Sequence, residues 1–174
     1  MTLPRMTMVG VADELGVSSM ALYKHVSGLE ALKELVAEEI FLRWELPKPK
    51  TGGETDLIHH LEGLSVSMWA LVSAHPGVAP YLLREDMITL PMIAKIRAHQ
   101  EDAAAHFSLP FDKAQWALFT VAYHCVAVAD TILPKPIAHS GSSLVNKSSA
   151  LIPDEYAKGI HALIRGILTT IRDP

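Results

Sequence analysis

The sequence predicts an all-α fold, and three observations lead to that prediction. Apolar residues recur three or four positions apart, as on one face of a helix, in each long segment of the chain. Alternating apolar and polar residues flanked by paired turn residues, which indicate β-hairpins, are almost absent from the sequence. Proline and glycine divide the chain into helix-sized pieces, as at His75-Pro76-Gly77 and Leu109-Pro110.

The first two predicted helices are short and are separated by a tight turn. The first covers residues 7–15, and Gly16 supplies the flexible backbone at which a helix can stop. Ser18 can cap a second helix that runs to about His25. The pair carries buried-type residues at Val11, Ala12, Leu15, Val17, Leu22 and Val26. This spacing is that of a helix-turn-helix.

A third helix and a linker complete the N-terminal module. Ser27 and Glu30 have the spacing of a capping box, in which each side chain satisfies the other residue's free backbone N–H group. The apolar side of this helix is formed by Leu29, Leu32, Val36 and Ile40. Residues 47–54, which begin with two prolines in three positions, are predicted to link a module of residues 1–46 to a domain of residues 55–174.

The larger domain is predicted to contain four long helices. They cover residues 56–74, 91–107, 114–133 and 154–171. Pro91 suits the start of the second of these, and Asp112 is the expected cap of the third. Residues 138–149, rich in Ser, Gly and Asn, are expected to form a mobile loop.

Length and composition are those of a globular protein. The 174 residues predict one domain, or one core with a small appended module. Hydrophobic residues make up 49% and charged residues 20%, and the mean hydropathy is +0.23, which excludes a chain disordered over its length. The formal net charge of −4 gives no overall positive field, so binding of a polyanion requires a local patch.

The cysteine content and the most apolar segment bear on the cellular location. Cys125 is the single cysteine, and the N-terminus lacks the pattern of a secretory signal, so we expect a cytoplasmic protein. Residues 114–133 are apolar enough to raise the question of a transmembrane helix. Because Gln115, His124 and Asp130 interrupt them, we expect a helix buried in a soluble protein and no membrane association.

The predicted helix-turn-helix carries side chains that suit DNA recognition. In this motif the second helix enters the major groove, and its first residues reach the base edges. The exposed face of the second helix offers Ser18, Ser19, Met20, Ala21, Tyr23, Lys24 and His25. Hydroxyl groups donate to phosphates, small apolar groups contact thymine methyl groups, and the lysine adds a positive charge.

Residues 11–26, VADELGVSSMALYKHV, resemble the DNA-binding segment of TetR-type transcriptional regulators. The likeness lies in the Leu-Gly-Val turn and in the ending ALYKHV, and it extends through the third helix. The resemblance implies a repressor that binds a palindromic operator as a homodimer and is released by a small molecule bound in the larger domain. It also implies that the helix from Ala114 to Leu133 and the helix from Asp154 to Ile171 pair with their copies in a four-helix bundle.

The same resemblance assigns roles to individual residues. It implies that Thr7 contacts a phosphate. It further implies that Ser19, Met20 and Ala21 face bases, and that Tyr23, Lys24 and His25 contact the backbone or the groove edge.

Three features depart from the family pattern. The full helix that normally precedes the motif is expected to be missing or shortened. Leu29 stands where a phosphate-binding lysine is common, and Val9 where a basic residue is frequent. Residues 1–46 contain four basic and seven acidic residues, a formal charge of −3, so the non-specific affinity for DNA is expected to be weak.

The larger domain offers candidates for a small-molecule site. Such sites lie between helices and combine apolar walls with a few polar groups. The candidate lining residues are Met68, Trp69, Met92, Ile96, His99, Trp116, Phe119, Tyr123 and His124. An alternative in which these side chains only pack in the core stays open.

Two alternative functions remain open at this point. His99, Asp102 and His106 share a stripe of one helix, which together with His124 could serve a metal-binding protein or an enzyme. Because no recognised metal-binding or nucleophile motif accompanies them, we expect a polar helix edge, with no metal, no cofactor and no catalytic residue. The second alternative is a ligand-binding dimer that has lost operator binding.

Overall fold

The computed structural model describes residues 2–50, 53–133 and 151–172, most of which lie in α-helices. The helices are α1 (Met8–Leu15), α2 (Ser19–Leu22), α3 (Leu29–Arg43), α4 (Glu54–Ala74), α5 (Ala79–Leu83), α6 (Leu90–His106), α7 (Phe111–Ile132) and α8 (Asp154–Arg172). Short 3-10 helices cover Leu3–Arg5 and Glu85–Met87. These described ranges contain no strand, so the all-α prediction is confirmed. The loop predicted at residues 138–149 lies outside them.

The turn between α1 and α2 has the predicted geometry. Thr7 Oγ1 accepts a hydrogen bond from the backbone N–H of Gly10 at 3.0 Å and so caps α1. Gly16 ends α1 in the left-handed conformation, with φ of +68°. Ser18 Oγ then accepts from the backbone N–H of Ala21 at 3.2 Å and caps α2. The sequence predicted the Gly16 stop and the Ser18 cap, and both are confirmed.

The predicted end of α2 and the predicted cap of α3 are wrong. The segment after Leu22 forms turns, in which the backbone N–H of His25 donates to the Leu22 carbonyl at 2.9 Å, three residues back instead of four. Helix α3 begins after Gly28 with no side-chain cap, so Ser27 and Glu30 do not form a capping box. Glu30 instead pairs with Lys33 at 2.7 Å.

The predicted cap of α7 is also wrong. The Pro110 carbonyl accepts the first helical hydrogen bond, from the Ala114 backbone N–H at 3.0 Å, and the helix begins at Phe111. Proline has no N–H group to satisfy, which suits it to this place before a helix. Asp112 therefore lies in the first turn, where its charge complements the positive end of the helix dipole.

One hydrophobic core includes residues from both the N-terminal helices and the larger domain. Ala37 and Phe41 of α3 are buried together with residues of α4, α6, α7 and α8. Helix α4 buries one apolar face, formed by Leu57, Leu61, Leu64, Met68, Leu71 and Val72. None of the described helices is long and apolar enough to cross a bilayer.

The segment ahead of α1 is anchored on the turn that follows α4. Leu3 and Met6 are buried in the common core. Gly77 in that turn has φ of +90°, and a Cβ atom added to it would lie 2.6 Å from Pro4 Cδ. The close approach of Pro4 therefore requires glycine at position 77, and it fixes the start of α1 relative to α4.

Part of the predicted apolar face of the α1–α2 pair is exposed. Ala12 and Met8 are buried, as the helical spacing predicts. Leu15 and Val17 were assigned to buried positions but are 63% and 43% exposed. Val9 is also exposed. Helix α1 therefore buries one narrow face and leaves apolar side chains uncovered by the described residues.

Candidate functional site

The residues predicted to contact DNA are largely accessible in the α1–α2 unit. Thr7, Ser18, Met20, Tyr23, Lys24 and His25 are exposed, and Ser19 and Ala21 are half-buried. Met20 is among the most exposed large apolar side chains of the described chain, at 71%. An exposed methionine and an exposed tyrosine on a short capped helix have no role in the core, so they are available to a partner.

The two hydroxyl groups that cap α1 and α2 keep a hydrogen-bond donor. Thr7 and Ser18 each use their oxygen as an acceptor from a backbone N–H group. A hydroxyl group carries one O–H donor in addition to its acceptor lone pairs. Both side chains can therefore cap a helix and donate to a phosphate oxygen at the same time.

A cavity of about 90 Å³ lies between the end of α3 and helices α4, α6 and α7. Its walls are mostly aliphatic and aromatic, with His99 and Gln100 as polar groups. Among the predicted pocket residues, Met68, Met92, Ile96, His99, Phe119 and Tyr123 line it. Phe119 and Tyr123 are 57% and 47% exposed and stack on each other with ring centroids 5.5 Å apart, so they form its outer edge.

The other three predicted pocket residues do not line this cavity. Trp69 is 1% exposed and packs in the core. Trp116 is 42% exposed on the surface of α7, and His124 of the same helix is half-buried. All three lie on helices that border the cavity, but none of them is part of its wall.

The polar end of the cavity is formed by two side-chain pairs. His99 Nε2 lies 3.3 Å from Nε2 of His60, which is buried on α4. Gln115 Nε2 lies 3.4 Å from Gln100 Oε1, a long contact. In the histidine pair one ring donates its N–H group and the other accepts, so the accepting ring must be neutral.

Burial keeps the histidine pair neutral. Burial, with smaller contributions from the neighbouring His99 and His106, lowers the pKa of His60 to about 4, and the Asp102 carboxylate partly opposes this shift. Burial also lowers the pKa of His99. The cavity therefore presents polar but uncharged groups at neutral pH.

A lysine of α6 binds the end of α3 beside the cavity. Lys95 Nζ donates to the carbonyl oxygens of Phe41 at 2.9 Å and Leu42 at 2.8 Å, and also to that of Trp44. The carbonyl groups at the end of a helix have no partner within the helix and carry its negative dipole end, so a cation is favourable there. Trp44 Nε1 in turn donates to Ser67 Oγ of α4 at 3.0 Å. Phe41 and Trp44 both line the cavity, so the last turn of α3 connects the cavity with the N-terminal helices.

An open groove lies next to this cavity, between residues 42–48 and α6. Trp44, Leu46 and His99 line both spaces. These three side chains therefore separate the cavity from solvent on the side of α3.

Several residues that form or surround the cavity were not among the candidates named from the sequence. Phe41 and Trp44 lie three positions apart, so they could have been identified as an aromatic pair on one face of α3. His60 lies three residues after the buried Leu57, which predicts the same face of α4. Nothing in the sequence indicates that Lys95 meets α3, because that contact joins residues more than 50 positions apart.

The histidine stripe of α6 does not form a metal centre among the described residues. No group of three or more His, Cys, Asp or Glu residues in them is arranged to hold a metal ion. His99 pairs with His60, whereas Asp102 and His106 are exposed. Burial raises the pKa of Cys125 to about 12, which disfavours the thiolate that metal binding requires.

Comparison with known proteins does not assign this chain to a family. No family model matches the sequence, and no curated protein matches it.

Proposed function

We propose that the chain is a ligand-responsive transcriptional regulator of the TetR type, which binds a palindromic operator as a homodimer and releases it when a small molecule is bound. The observation that carries the proposal is the α1–α2 unit. A left-handed turn at Gly16 is followed by a helix capped by Ser18, which leaves Met20, Tyr23 and Lys24 exposed. A helix-turn-helix is the motif in which such a second helix contacts the major groove.

The proposed contacts divide between backbone and bases. Thr7, Tyr23, Lys24 and His25 bind phosphates or the groove edge, which positions the unit on the duplex. Ser19, Met20 and Ala21 face the bases, where a methionine side chain and an alanine methyl group suit thymine methyl groups.

The end of α3 offers a physical route from the cavity to the DNA-binding helices. A ligand that fills the cavity must contact Phe41 or Trp44, whose carbonyl oxygens Lys95 holds. Movement of these residues shifts α3, on which the N-terminal 3-10 helix packs through the core that contains Leu3. Ligand binding then weakens operator binding to the extent that the ligand prefers one placement of α3 over the other.

Helices α7 and α8 are the proposed dimer interface. Trp116, Phe119 and Tyr123 form a stripe on α7 at positions i, i+3 and i+7, and each is more than 40% exposed. Exposed aromatic stripes of this kind are typical of protein–protein contacts. The same stripe borders the cavity, so a dimer formed there brings the cavities of two copies close to the interface.

The second candidate function is a ligand-binding dimer without operator binding. The formal charge of −3 on residues 1–46 favours it, because DNA affinity depends on neutralising phosphates. Leu15 and Val17, exposed beside the motif, favour it as well, since an uncovered apolar face reduces the stability of the DNA-binding unit.

A matched pair of lysine variants tests the proposed DNA contacts. Lys24→Ala removes a positive charge from the turn after α2, and Lys50→Ala removes the same charge from an exposed position after α3, away from α7 and α8. A duplex enriched from a random pool with the wild-type chain is titrated with each variant, and binding is followed by fluorescence anisotropy. We expect about fivefold weaker binding for Lys24→Ala and a smaller slope of affinity against salt concentration. Equal losses of DNA affinity in both variants would show that Lys24 does not contact the DNA. Failure to enrich any duplex would favour the second candidate function, a ligand-binding dimer without operator binding.

A further inference from the structure

We infer that the cavity between α3, α4, α6 and α7 binds a neutral small molecule with a flat aromatic body and one hydrogen-bonding group. The inference rests on the proposed function in that this molecule is the effector of the regulator. Three features of the cavity lead to this inference, namely its walls, its polar end and its volume.

The walls of the cavity select an apolar body. They contain the rings of Phe41, Trp44, Phe119 and Tyr123, together with aliphatic side chains. Aromatic rings pack favourably against one another in stacked or tilted arrangements. Met68 and Met92 lie among them, and the flexible methionine side chain adapts to ligands of different outline.

The absence of charged groups in the lining selects a neutral ligand. No Asp, Glu, Lys or Arg is among the described residues that line the cavity. Lys95 lines the adjoining groove and is bound to three carbonyl oxygens. A carboxylate or ammonium group in the cavity would lose its hydration without gaining an opposite charge, which is costly.

The polar end of the cavity favours a ligand that carries a single hydrogen-bonding group. His99 and Gln100 are neighbours on α6, and each is engaged by one partner, His60 or Gln115. An imidazole ring and a carboxamide group each have more hydrogen-bonding atoms than that one contact uses. A hydroxyl or carbonyl group at the end of a ligand can bind there without disrupting either pair.

The volume of the cavity shows that a ligand of two fused rings needs additional room. Its volume of about 90 Å³ is smaller than the engineered cavity of about 150 Å³ that holds benzene in another protein. A ligand of two fused rings therefore requires side chains to move. The flexible side chains of Met68 and Met92 in the wall can change conformation to make this room.

Naphthalene and two of its derivatives test the inference on the full-length chain. The derivatives are 2-naphthol and 2-naphthoate, and only 2-naphthoate is charged at about pH 7.5. Equilibrium dialysis measures the affinity and stoichiometry of each. We expect saturable binding of one 2-naphthol per chain, and binding of 2-naphthoate at least about tenfold weaker. Equal or tighter binding of 2-naphthoate, or no saturable binding of 2-naphthol by the folded chain, would overturn the inference.

Variants locate the binding site. Ala122 lines the cavity on α7, so Ala122→Phe is expected to reduce 2-naphthol binding at least about tenfold by filling the site. Thr131→Phe adds the same ring to an exposed position of α7 outside the lining and is expected to leave binding unchanged. Gln100→Leu is expected to weaken 2-naphthol binding about three- to tenfold while naphthalene binding stays the same. Equal binding by Ala122→Phe and Thr131→Phe would place the ligand elsewhere and contradict the inference.

Operator binding measured on the same preparation separates the two claims. Loss of the ligand selectivity with operator binding intact would refute the assigned ligand class alone. Selective 2-naphthol binding without operator binding would refute the regulator and retain the ligand site.

Discussion

Lys95 Nζ donates a hydrogen bond to the carbonyl oxygen of Phe41 at 2.9 Å, and its charge lies 5.6 Å from the centroid of the Phe41 ring. Lys95 belongs to α6 of the larger domain, and Phe41 to the last turn of α3. The lysine therefore caps a helix of another part of the chain, and burial lowers its pKa. This contact stabilises α3 on the larger domain, at the wall of the cavity.

Removal of the Lys95 charge is expected to destabilise the fold. Lys95→Met keeps most of the aliphatic stem but leaves the carbonyl oxygens of Phe41, Leu42 and Trp44 without their donor. The expected loss in the free energy of unfolding is about 1 to 2 kcal/mol, measured by urea denaturation. Lys50→Met, at an exposed position after α3, is the matched control and should have little effect. Equal stabilities of the two variants would refute this role of Lys95.

Substitution by alanine is expected to have opposite effects on stability at Gly16 and at Gly159. Gly16 has φ of +68°, so Gly16→Ala should cost about 1 kcal/mol through backbone strain, although no atom lies near the added Cβ. Gly159 lies within α8 on the exposed side, also with no atom near its Cβ. There alanine should stabilise the helix by up to about 1 kcal/mol. Thermal denaturation of both variants checks the signs, and a neutral or stabilising Gly16→Ala would contradict the left-handed turn.

The His60–His99 pair predicts a loss of stability in acid. The pKa of His60 is about 4 in the folded chain and about 6.5 in an unfolded chain, so the unfolded state binds more protons between these values. This contribution to stability is complete above pH 6.5 and is lost as the pH falls towards 4. His99, whose pKa is also lowered, acts in the same direction, His106 adds positive charge, and the Asp102 carboxylate partly offsets them.

A glutamine variant isolates this pH effect. His60→Gln keeps a hydrogen-bonding side chain without a group that titrates in this range. The wild type should lose about 2 kcal/mol more than His60→Gln between pH 7 and pH 4.5, measured by urea denaturation at each pH. His59→Gln, a change at the exposed neighbouring position, should follow the wild type. Parallel pH profiles of the wild type and His60→Gln would show that the pair does not control acid stability.

The helical fold was predictable because its determinants are local. Periodic apolar residues such as Leu57, Leu61 and Leu64 place one face of α4 in the core, and Gly16 and Ser18 mark the turn before α2. The wrong predictions of helix caps occur where a side chain has two possible partners close by in the sequence. Glu30 could have bonded back to Ser27, but it pairs with Lys33 one turn ahead.

The candidate site was only partly predictable because it depends on tertiary contacts. Met92, Ile96 and His99 of α6 were among the predicted pocket residues, and all three line the cavity. The same reasoning could not show that Trp69 and Trp116 lie outside its wall, since this depends on how α4 and α7 pack in the bundle. The contacts of Lys95 with α3 join distant parts of the chain and have no local signal.

The most direct test of the proposed regulator is sequence-specific binding of DNA. The dissociation constant of the chain is measured for an enriched palindromic duplex and for a scrambled duplex of the same length, at two salt concentrations. The account predicts a symmetric complex with two chains per palindrome, an affinity at least about 1000-fold above that for the scrambled duplex, and weaker binding at higher salt. Equal affinity for both duplexes, or no binding by a folded dimer, would contradict it.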